Sequence, residues 1–199
     1  MSAGRTVTSN SVDWNTPPHY VEAVRQVLGD IELDPCTNEW SYVNASKNII
    51  LPDDGLKADW NYRTIFVNPP YGRDPVRGTR ILDWVRKTAE AHRDFGSEAI
   101  MLIPVATNTR HFKEIIFKDA ETICFLADTR LRFHLDGKIH EKGAPMACCM
   151  VYFGKSPQRF RDVFSQHGTV LKIKCPNLLE KPHAERNLFG AGLIPLVTP

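Results

Sequence analysis

The apolar run at residues 99–103 constrains the fold of this 199-residue chain more than any other segment. It reads Ala-Ile-Met-Leu-Ile, and five consecutive apolar side chains predict a strand that is buried on both faces. A strand of this kind lies inside a sheet that helices cover on both sides. The first expectation is therefore an α/β fold with a central sheet.

Further predicted strands alternate with predicted helices. Apolar residues at helical spacing predict a helix that begins at Thr16-Pro17, as N-cap and first-turn proline, and ends at Gly29. The first strand is expected to end at Asp34-Pro35. This alternation predicts a doubly wound, mostly parallel sheet whose last strands pair antiparallel. The predicted strands cover 31–34, 64–67, 99–103, 122–126, 131–135, 145–153 and 169–174, the other helices cover about 79–94, 109–118 and 156–168, and 36–63 is expected to be irregular.

Composition is that of a soluble globular protein. With 42% hydrophobic and 24% charged residues, residues 1–199 are expected to form a single domain. Residues 1–13 are predicted to be a flexible arm, and 175–199 a surface tail. No apolar run approaches the ~20 residues of a membrane span, and the start of the chain lacks a signal-peptide pattern. We therefore expect a cytoplasmic protein that does not contact a membrane.

The five cysteines do not have the spacing of metal ligands. None forms a Cys-x-x-Cys pair, and Cys148 and Cys149 lie in a predicted apolar strand. Structural thiols are therefore favoured over a zinc site or disulfides, and no metal is expected.

Charge is distributed unevenly along the chain. Residues 1–60 contain 4 Lys/Arg and 9 Asp/Glu, whereas the remaining 139 residues contain 21 and 14. A pocket for a cationic cofactor beside a polyanion-binding surface would have this distribution. Uneven solvated charge explains it equally well, so the distribution only supports other signals.

The predicted strand at 64–67 ends in the tetrapeptide Asn68-Pro69-Pro70-Tyr71. It suits alkylation of an exocyclic amino group, which is a poor nucleophile because its lone pair is delocalised into the ring. The Asn68 side-chain carbonyl and the Pro69 backbone carbonyl can accept hydrogen bonds from the two N–H groups of such an amine. The prolines hold these two carbonyls rigid. Tyr71 offers a flat face on which a base can stack. A simple loop entry is the alternative, but open α/β sheets bind ligands beyond the ends of such strands.

Several segments together resemble the S-adenosylmethionine-dependent DNA adenine-N6 methyltransferases, in particular the small phage-type form. The resemblance covers roughly residues 12–165. It implies a Rossmann-like methyltransferase fold that transfers a methyl group from S-adenosylmethionine to adenine N6 in double-stranded DNA, with base flipping. The matching segments are Trp14-Asn15-Thr16-Pro17, Leu33-Asp34-Pro35-Cys36, Asp54-Gly55-Leu56, Trp60 and Phe66-Val67-Asn68-Pro69-Pro70-Tyr71, followed by Ile103-Pro104 and parts of 125–133.

The resemblance also implies roles for individual residues. Asp34 would bind the methionine ammonium of the cofactor, and Asp54 would accept a hydrogen bond from its adenine amine. Both have an alternative as turn aspartates. Thr16 and Pro17 would contact the cofactor from the edge. The catalytic candidates are Asn68, Pro69, Pro70 and Tyr71, and the cofactor-binding candidates are Thr16, Pro17, Asp34, Pro35, Cys36, Asp54 and Asn68.

Two departures from the wider methyltransferase pattern concern the cofactor pocket. The usual loop after the first strand is rich in glycine, whereas residues 34–38 contain none. Only 33 residues separate Asp34 from Asn68, so the second and third strands are expected to be very short or missing. The pocket is accordingly predicted to be more open than in larger relatives.

Basic residues are the candidates for contact with DNA, because Lys and Arg hold phosphates. Arg73, Arg77 and Arg80 follow the tetrapeptide directly, and Arg130 and Arg132 lie near the predicted hairpin. Each group could instead be a solvated face. The group after the tetrapeptide is preferred because it lies close to Tyr71.

Other activities stay open at this point. Cytosine N4, an RNA adenine and a glutamine amide are planar amines with the same chemical requirement, and Asn68 favours adenine over cytosine only by resemblance. A module that binds DNA without the cofactor would also account for the missing glycines. The sequence does not distinguish a monomer from a dimer.

Overall fold

The computed structural model describes residues 14–128, 130–135, 137–139, 143–144 and 146–173. The predicted arm at 1–13 and tail at 175–199 lie outside the described residues. No helix within these ranges is long and apolar enough to cross a membrane. The strands are β1 (Leu33–Thr37), β2 (Lys47–Ile50), β3 (Thr64–Val67), β4 (Glu98–Pro104), β5 (Thr122–Leu126), β6 (His134–Leu135), β7 (Lys138–Ile139), β8 (Cys148–Phe153) and β9 (Gly168–Lys172). The helices are α1 (Pro18–Leu28), α2 (Ile81–Phe95), a π-helical segment (His111–Ile116) that continues into α3 (Phe117–Asp119), and α4 (Pro157–Phe164).

Seven strands form one sheet in the order β2-β1-β3-β4-β8-β5-β9. The pairs β1–β2, β1–β3 and β3–β4 are parallel. β8 lies between β4 and β5 and is antiparallel to both, and β9 is antiparallel to β5. β1 to β5 therefore all point one way. This confirms the predicted α/β fold with a mostly parallel sheet and antiparallel last strands.

Strand β4 shows how the sheet is covered on both faces. Its residues 99–103 are completely buried, as the apolar run predicts. Ile100 and Leu102 pack in a core with α1 and α4, whereas Met101 and Ile103 pack in a second core with α2 and the π-helical segment. Alternate side chains of one strand thus contact opposite helical layers.

The prediction that β1 ends at Asp34-Pro35 is wrong, because the strand continues to Thr37. Proline lacks an N–H group and is normally excluded from interior strands. Here the register with β2 shifts between Asp34 and Thr37, and Pro35 lies within this irregularity. Asp34 therefore lies inside a strand instead of in a turn.

The prediction that Thr16 caps the first helix is also wrong. α1 begins at Pro18, its N-cap position is Pro17, and no side chain caps it. A residue before proline is disfavoured in the helical region, and Pro17 accordingly has an extended ψ of 143°. Thr16 precedes the helix and is buried, with 3% exposure.

Other boundaries also differ from the predictions, and the strand predicted at 131–135 forms only at His134–Leu135, as β6. The segment 36–63, which is expected to be irregular, contains β2. All residues between β1 and β3 are described, and β2 is the only strand among them. One four-residue strand thus replaces the two expected to be short or missing. β8 begins at Cys148, and α4 ends at Phe164 because Gly168 already pairs with Leu126 in β9.

Candidate active site

The carboxyl ends of β1 and β3 define the candidate active site. These two strands are parallel neighbours, and Asn68 follows the last residue of β3. Open α/β sheets bind ligands beyond the carboxyl ends of their strands. The predicted tetrapeptide therefore begins at the edge where a ligand is expected.

The Asn68 side chain is oriented by the segment before α1. Its Nδ2 donates a hydrogen bond of 2.9 Å to the backbone carbonyl of Trp14. Because a carbonyl oxygen only accepts, this contact determines which end of the amide faces Trp14. The Oδ1 atom consequently lies on the other side of the amide, where it can accept from a ligand N–H.

Backbone pairing holds the segment around Trp14 in place. The Asn15 N–H donates to the His134 carbonyl at 2.9 Å, and the His134 N–H donates to the Asn15 carbonyl at 3.0 Å. The Tyr42 hydroxyl lies 3.0 Å from Nδ1 of His134. The β6–β7 hairpin, the first segment and the loop between β1 and β2 therefore meet beside Asn68.

Three aromatic side chains pack together at this place. The ring centroids of Trp14 and Phe133 are 5.2 Å apart, and those of Phe133 and Tyr71 are 5.9 Å apart in an edge-to-face arrangement. The Tyr71 hydroxyl donates to the Leu102 carbonyl at 3.4 Å, and burial raises the pKa of Tyr71 well above its usual value. Tyr71 is therefore anchored at its polar end, while the residue as a whole is only partly buried.

Asp34 is a buried carboxylic acid on β1, with 4% exposure. Burial raises its pKa to about 7, although the Cys36 N–H donates to its Oδ1 at 3.2 Å and opposes this effect. Within the described part of the chain, no Lys, Arg or His forms an ion pair with it. A buried carboxylate is costly without a partner charge, so Asp34 is suited to a cationic ligand.

Cys36 connects Asp34 to Asn68. Burial, and then the charge of Asp34, raise the pKa of the Cys36 thiol well above its usual value, whereas the Asn68 N–H lowers it by hydrogen bonding. Cys36 is therefore a neutral thiol that packs between the buried acid and the tetrapeptide.

Two buried polar atoms near these residues, Nδ2 of Asn15 and Oγ1 of Thr16, have no hydrogen-bond partner among the described groups. The Thr37 side chain, by contrast, hydrogen-bonds the Asp34 carboxylate and lowers its pKa. Buried polar atoms are nearly always paired, so unpaired ones beside a crevice indicate where ligand groups bind. Thr16, which does not cap α1, is thus available for the ligand role. Together with Asp34, these atoms fit a polar ligand with a positive charge.

The turn after β2 places Asp54 beside β1. A Cβ atom at Gly55 would lie 1.8 Å from the Pro35 carbonyl oxygen, so only glycine allows the turn to pack this closely. Nε1 of Trp60 donates to the Gly55 carbonyl at 2.8 Å. The Asp54 carboxylate accepts a hydrogen bond from the Leu56 N–H at 3.1 Å and lies 3.6 Å from the exposed Lys57 ammonium. Asp54 therefore lies beside β1, and its carboxylate is partly engaged in its own turn.

Comparison with known proteins shows the family. Residues 4–172 match the family described as DNA N-6-adenine-methyltransferase (Dam). The chain belongs to the Dam family. A relative from Haemophilus phage HP1 (strain HP1c1), described as a DNA N-6-adenine-methyltransferase, is 28% identical over 137 residues, which cover 67% of this chain and 72% of that protein. No solved structure matches the chain.

Membership of the Dam family confirms two predictions. The first is that the chain belongs to the phage-type adenine methyltransferases. The second is that it is an adenine-specific DNA methyltransferase. The matched range 4–172 contains every site residue that the sequence predicts.

The first group of arginines in this Dam-family chain lies in the loop 72–80. Arg73, Arg77 and Arg80 are all exposed, and the loop leaves the tetrapeptide directly. Arg77 forms an ion pair of 3.0 Å with Asp74, whose carboxylate also accepts the backbone N–H groups of residues 76 and 77. The structure thus places a basic, internally braced loop next to Tyr71.

The second group of arginines precedes the β6–β7 hairpin. Arg130 and Arg132 are exposed, and Arg132 is adjacent in sequence to Phe133, which packs on Tyr71. A Cβ atom at Gly143 would lie 2.5 Å from Cβ of Arg130, so the two chain segments run close together. Both arginine groups therefore belong to chain segments that lead directly to or from a residue of the aromatic cluster.

Sequence reasoning gave no role to four residues that the Dam-family site brings together. Trp14 and Asn15 belong to the resembling segment, but only the contact with Asn68 indicates what Trp14 does. Phe133 also belongs to a resembling segment, but only its packing on Tyr71 indicates what it does. Thr37 has no signal in the sequence beyond its neighbours. The described residues contain no group of three or more His, Cys, Asp or Glu that could hold a metal.

Proposed function

We propose that the chain methylates the N6 amino group of an adenine flipped out of double-stranded DNA, with S-adenosylmethionine as donor and a Rossmann-like methyltransferase fold. One observation carries the proposal. The Asn68 amide is oriented by its 2.9 Å hydrogen bond to Trp14, so that Oδ1 can accept from the target amine. Family membership supports the substrate, and the geometry of the site supports the residue roles that the resemblance implies.

The residues around Asp34 fit the proposed cofactor. S-adenosylmethionine, when bound, supplies a methyl group that its positive sulfonium makes electrophilic. Asp34 would hold the methionine ammonium, and the unpaired Thr16 hydroxyl would bind another polar group. Asp54 would accept from the cofactor's adenine amine. Pro17, Pro35 and Cys36 would line the pocket.

The tetrapeptide would act on the target base. Asn68 Oδ1 and the Pro69 carbonyl accept hydrogen bonds from the two N–H groups of the amine and draw its nitrogen towards tetrahedral geometry. The methyl group would pass from the sulfonium, which would leave as a neutral thioether, to the amine nitrogen, which would become positive. Both oxygens would stabilise that charge until one proton leaves to water. Pro69 is buried and Pro70 fixes the backbone after it, so these acceptors need little reorganisation. Tyr71 stacks on the flipped base.

A nucleoside assay tests the proposed reaction. The purified chain is incubated with S-adenosylmethionine and DNA that lacks N6-methyladenine, and the DNA is digested to nucleosides. N6-methyldeoxyadenosine is the expected product, and sequencing of the same DNA gives the methylated sites. N4-methyldeoxycytidine, or modification of RNA alone, would instead support another planar amine. No cofactor binding at about millimolar concentration would indicate a DNA-binding module.

Lys87 provides a prediction for the cofactor pocket. Its ammonium on α2 donates to the Leu56 and Ala58 carbonyls at 2.5 and 2.6 Å and lies 5.4 Å from the Trp60 ring centroid. We expect Lys87→Met to loosen the Asp54 turn and to raise the Kd for S-adenosylmethionine by about three- to tenfold. Calorimetric titration measures the change. Lys113→Met, at an exposed lysine elsewhere, should leave Kd unaltered, and an unchanged Kd in Lys87→Met would contradict this role for the turn.

A further inference from the structure

Val76 is the most exposed large apolar side chain in the described part of the chain, with 89% exposure. It lies in the loop 72–80, five residues after Tyr71. Single exposed apolar side chains are common, so exposure alone assigns no role. The rigidity, charge and location of the loop give this valine its significance.

The loop 72–80 is braced from within. The Asp74 carboxylate accepts the N–H of Val76 at 2.8 Å and of Arg77 at 3.0 Å, and it pairs with the Arg77 guanidinium. The Asp74 N–H donates to the Thr79 carbonyl at 3.0 Å. Pro75 restricts the backbone directly before the valine. Val76 is therefore held outward by a preorganised turn, and its β-branched side chain is itself stiff.

Charge and distance both suit contact with DNA. Arg73 and Arg80 are exposed at the two ends of the loop and can bind phosphates. Five residues of chain reach at most about 18 Å, so Val76 cannot lie far from the base that stacks on Tyr71. Proteins that distort duplex DNA frequently insert one apolar side chain between bases.

We propose that Val76 enters the base stack and fills the space that the target adenine leaves when it rotates towards Tyr71. This inference rests on the proposed function. Arg73 and Arg80 hold the flanking phosphates, while Asp74 keeps the valine rigid during insertion. The valine then stabilises the flipped state and takes no part in methyl transfer itself.

Paired and unpaired targets distinguish a wedge from a general contact. Duplexes are centred on a methylated site mapped with the wild-type protein, with the target adenine opposite thymine or opposite an abasic position. Val76→Ala should slow methylation of the paired adenine at least about tenfold and change the rate at the unpaired adenine less than about twofold, because less unstacking is needed there. 2-Aminopurine at the target position should also show less fluorescence increase with the variant on the paired duplex.

Control variants make each outcome decisive. Leu171→Ala removes an exposed apolar side chain on β9, the edge strand far from the tetrapeptide, and should alter neither rate. Equal rates for Val76→Ala and wild type, or equal losses on both duplexes, would overturn the proposal. Ile139 is exposed on the hairpin strand β7. The proposal would also be overturned if Ile139→Ala lowered the methylation rate of the paired adenine alone and Val76→Ala did not. If the wild-type protein methylates no adenine, the proposed function fails instead.

Discussion

Replacing Asn68 with alanine is expected to lower kcat by about 10²–10³-fold while the Kd for S-adenosylmethionine changes less than about threefold. Alanine removes both the Oδ1 acceptor and the Nδ2 that contacts the Trp14 carbonyl at 2.9 Å. The target amine would then keep its lone pair delocalised and react slowly. Single-turnover methylation measures the chemical step, and calorimetry measures cofactor binding.

Asn61→Ala is the matched control for Asn68→Ala. Asn61 is exposed and precedes β3, at the opposite end of the strand that leads to the tetrapeptide. Its loss should leave both constants unaltered. Near-wild-type turnover by Asn68→Ala would falsify the catalytic assignment, and a joint loss of turnover and cofactor binding would indicate a structural role.

Replacing Asp34 with asparagine is expected to weaken binding of S-adenosylmethionine by about 10- to 100-fold, because a charge-assisted hydrogen bond is lost. Asparagine preserves the shape of the side chain, so packing should be retained. Asp30→Asn is the control, since Asp30 is exposed and precedes β1. Unchanged cofactor affinity in Asp34→Asn would show that the ammonium binds elsewhere.

The same carboxylate predicts a pH dependence of cofactor binding. The pKa of Asp34 is about 7 without a ligand, because burial disfavours its charge. Binding of a cation requires the ionised form, so Kd should rise roughly tenfold as the pH falls from about 7 to about 5.5. Asp34→Asn should abolish this dependence. A wild-type Kd that stays constant over this range would contradict a role for the Asp34 charge.

Stability should respond to Asp34→Asn in the opposite sense to binding. Raising the folded-state pKa from 3.8 to about 7 makes the unliganded protein lose stability as the pH rises through this range, by about 4 kcal/mol in full. Asparagine has no charge to bury. The variant should therefore have a higher Tm than the wild type at about pH 8, and the difference should shrink towards about pH 5. Thermal unfolding without cofactor measures both values.

The sheet could be predicted where hydrophobic pattern alone determines structure. The run at 99–103 becomes the completely buried centre of β4, and Thr122–Leu126 is found with the predicted bounds. Two of the errors, at Thr16-Pro17 and at Asp34-Pro35, occur at prolines, where local propensity meets tertiary contacts. Pro35 is accommodated by a register shift with β2, which begins twelve residues further along the chain. Nothing in the residues around Pro35 indicates that shift.

Sequence motifs alone single out only some residues of the candidate site. Asn68 and Asp34 follow from motif and position, whereas the hydrogen bond from Asn68 to Trp14 crosses 54 positions of sequence. Thr-Pro is a common helix start and therefore predicts a cap at Thr16, and only the structure shows that the Thr16 hydroxyl is buried and unpaired. Contacts between distant segments have no local signature.

Gly55 changes what the absence of a glycine-rich loop means. Close approach of two backbones needs one partner without a side chain, and either partner can provide it. Here the missing side chain belongs to position 55, twenty positions after Pro35, whose carbonyl it faces. A search for glycine directly after the first strand therefore misses the glycine that allows this close approach, because that glycine follows β2. Position 35 can therefore be proline, whereas even alanine at position 55 would force the two backbones apart.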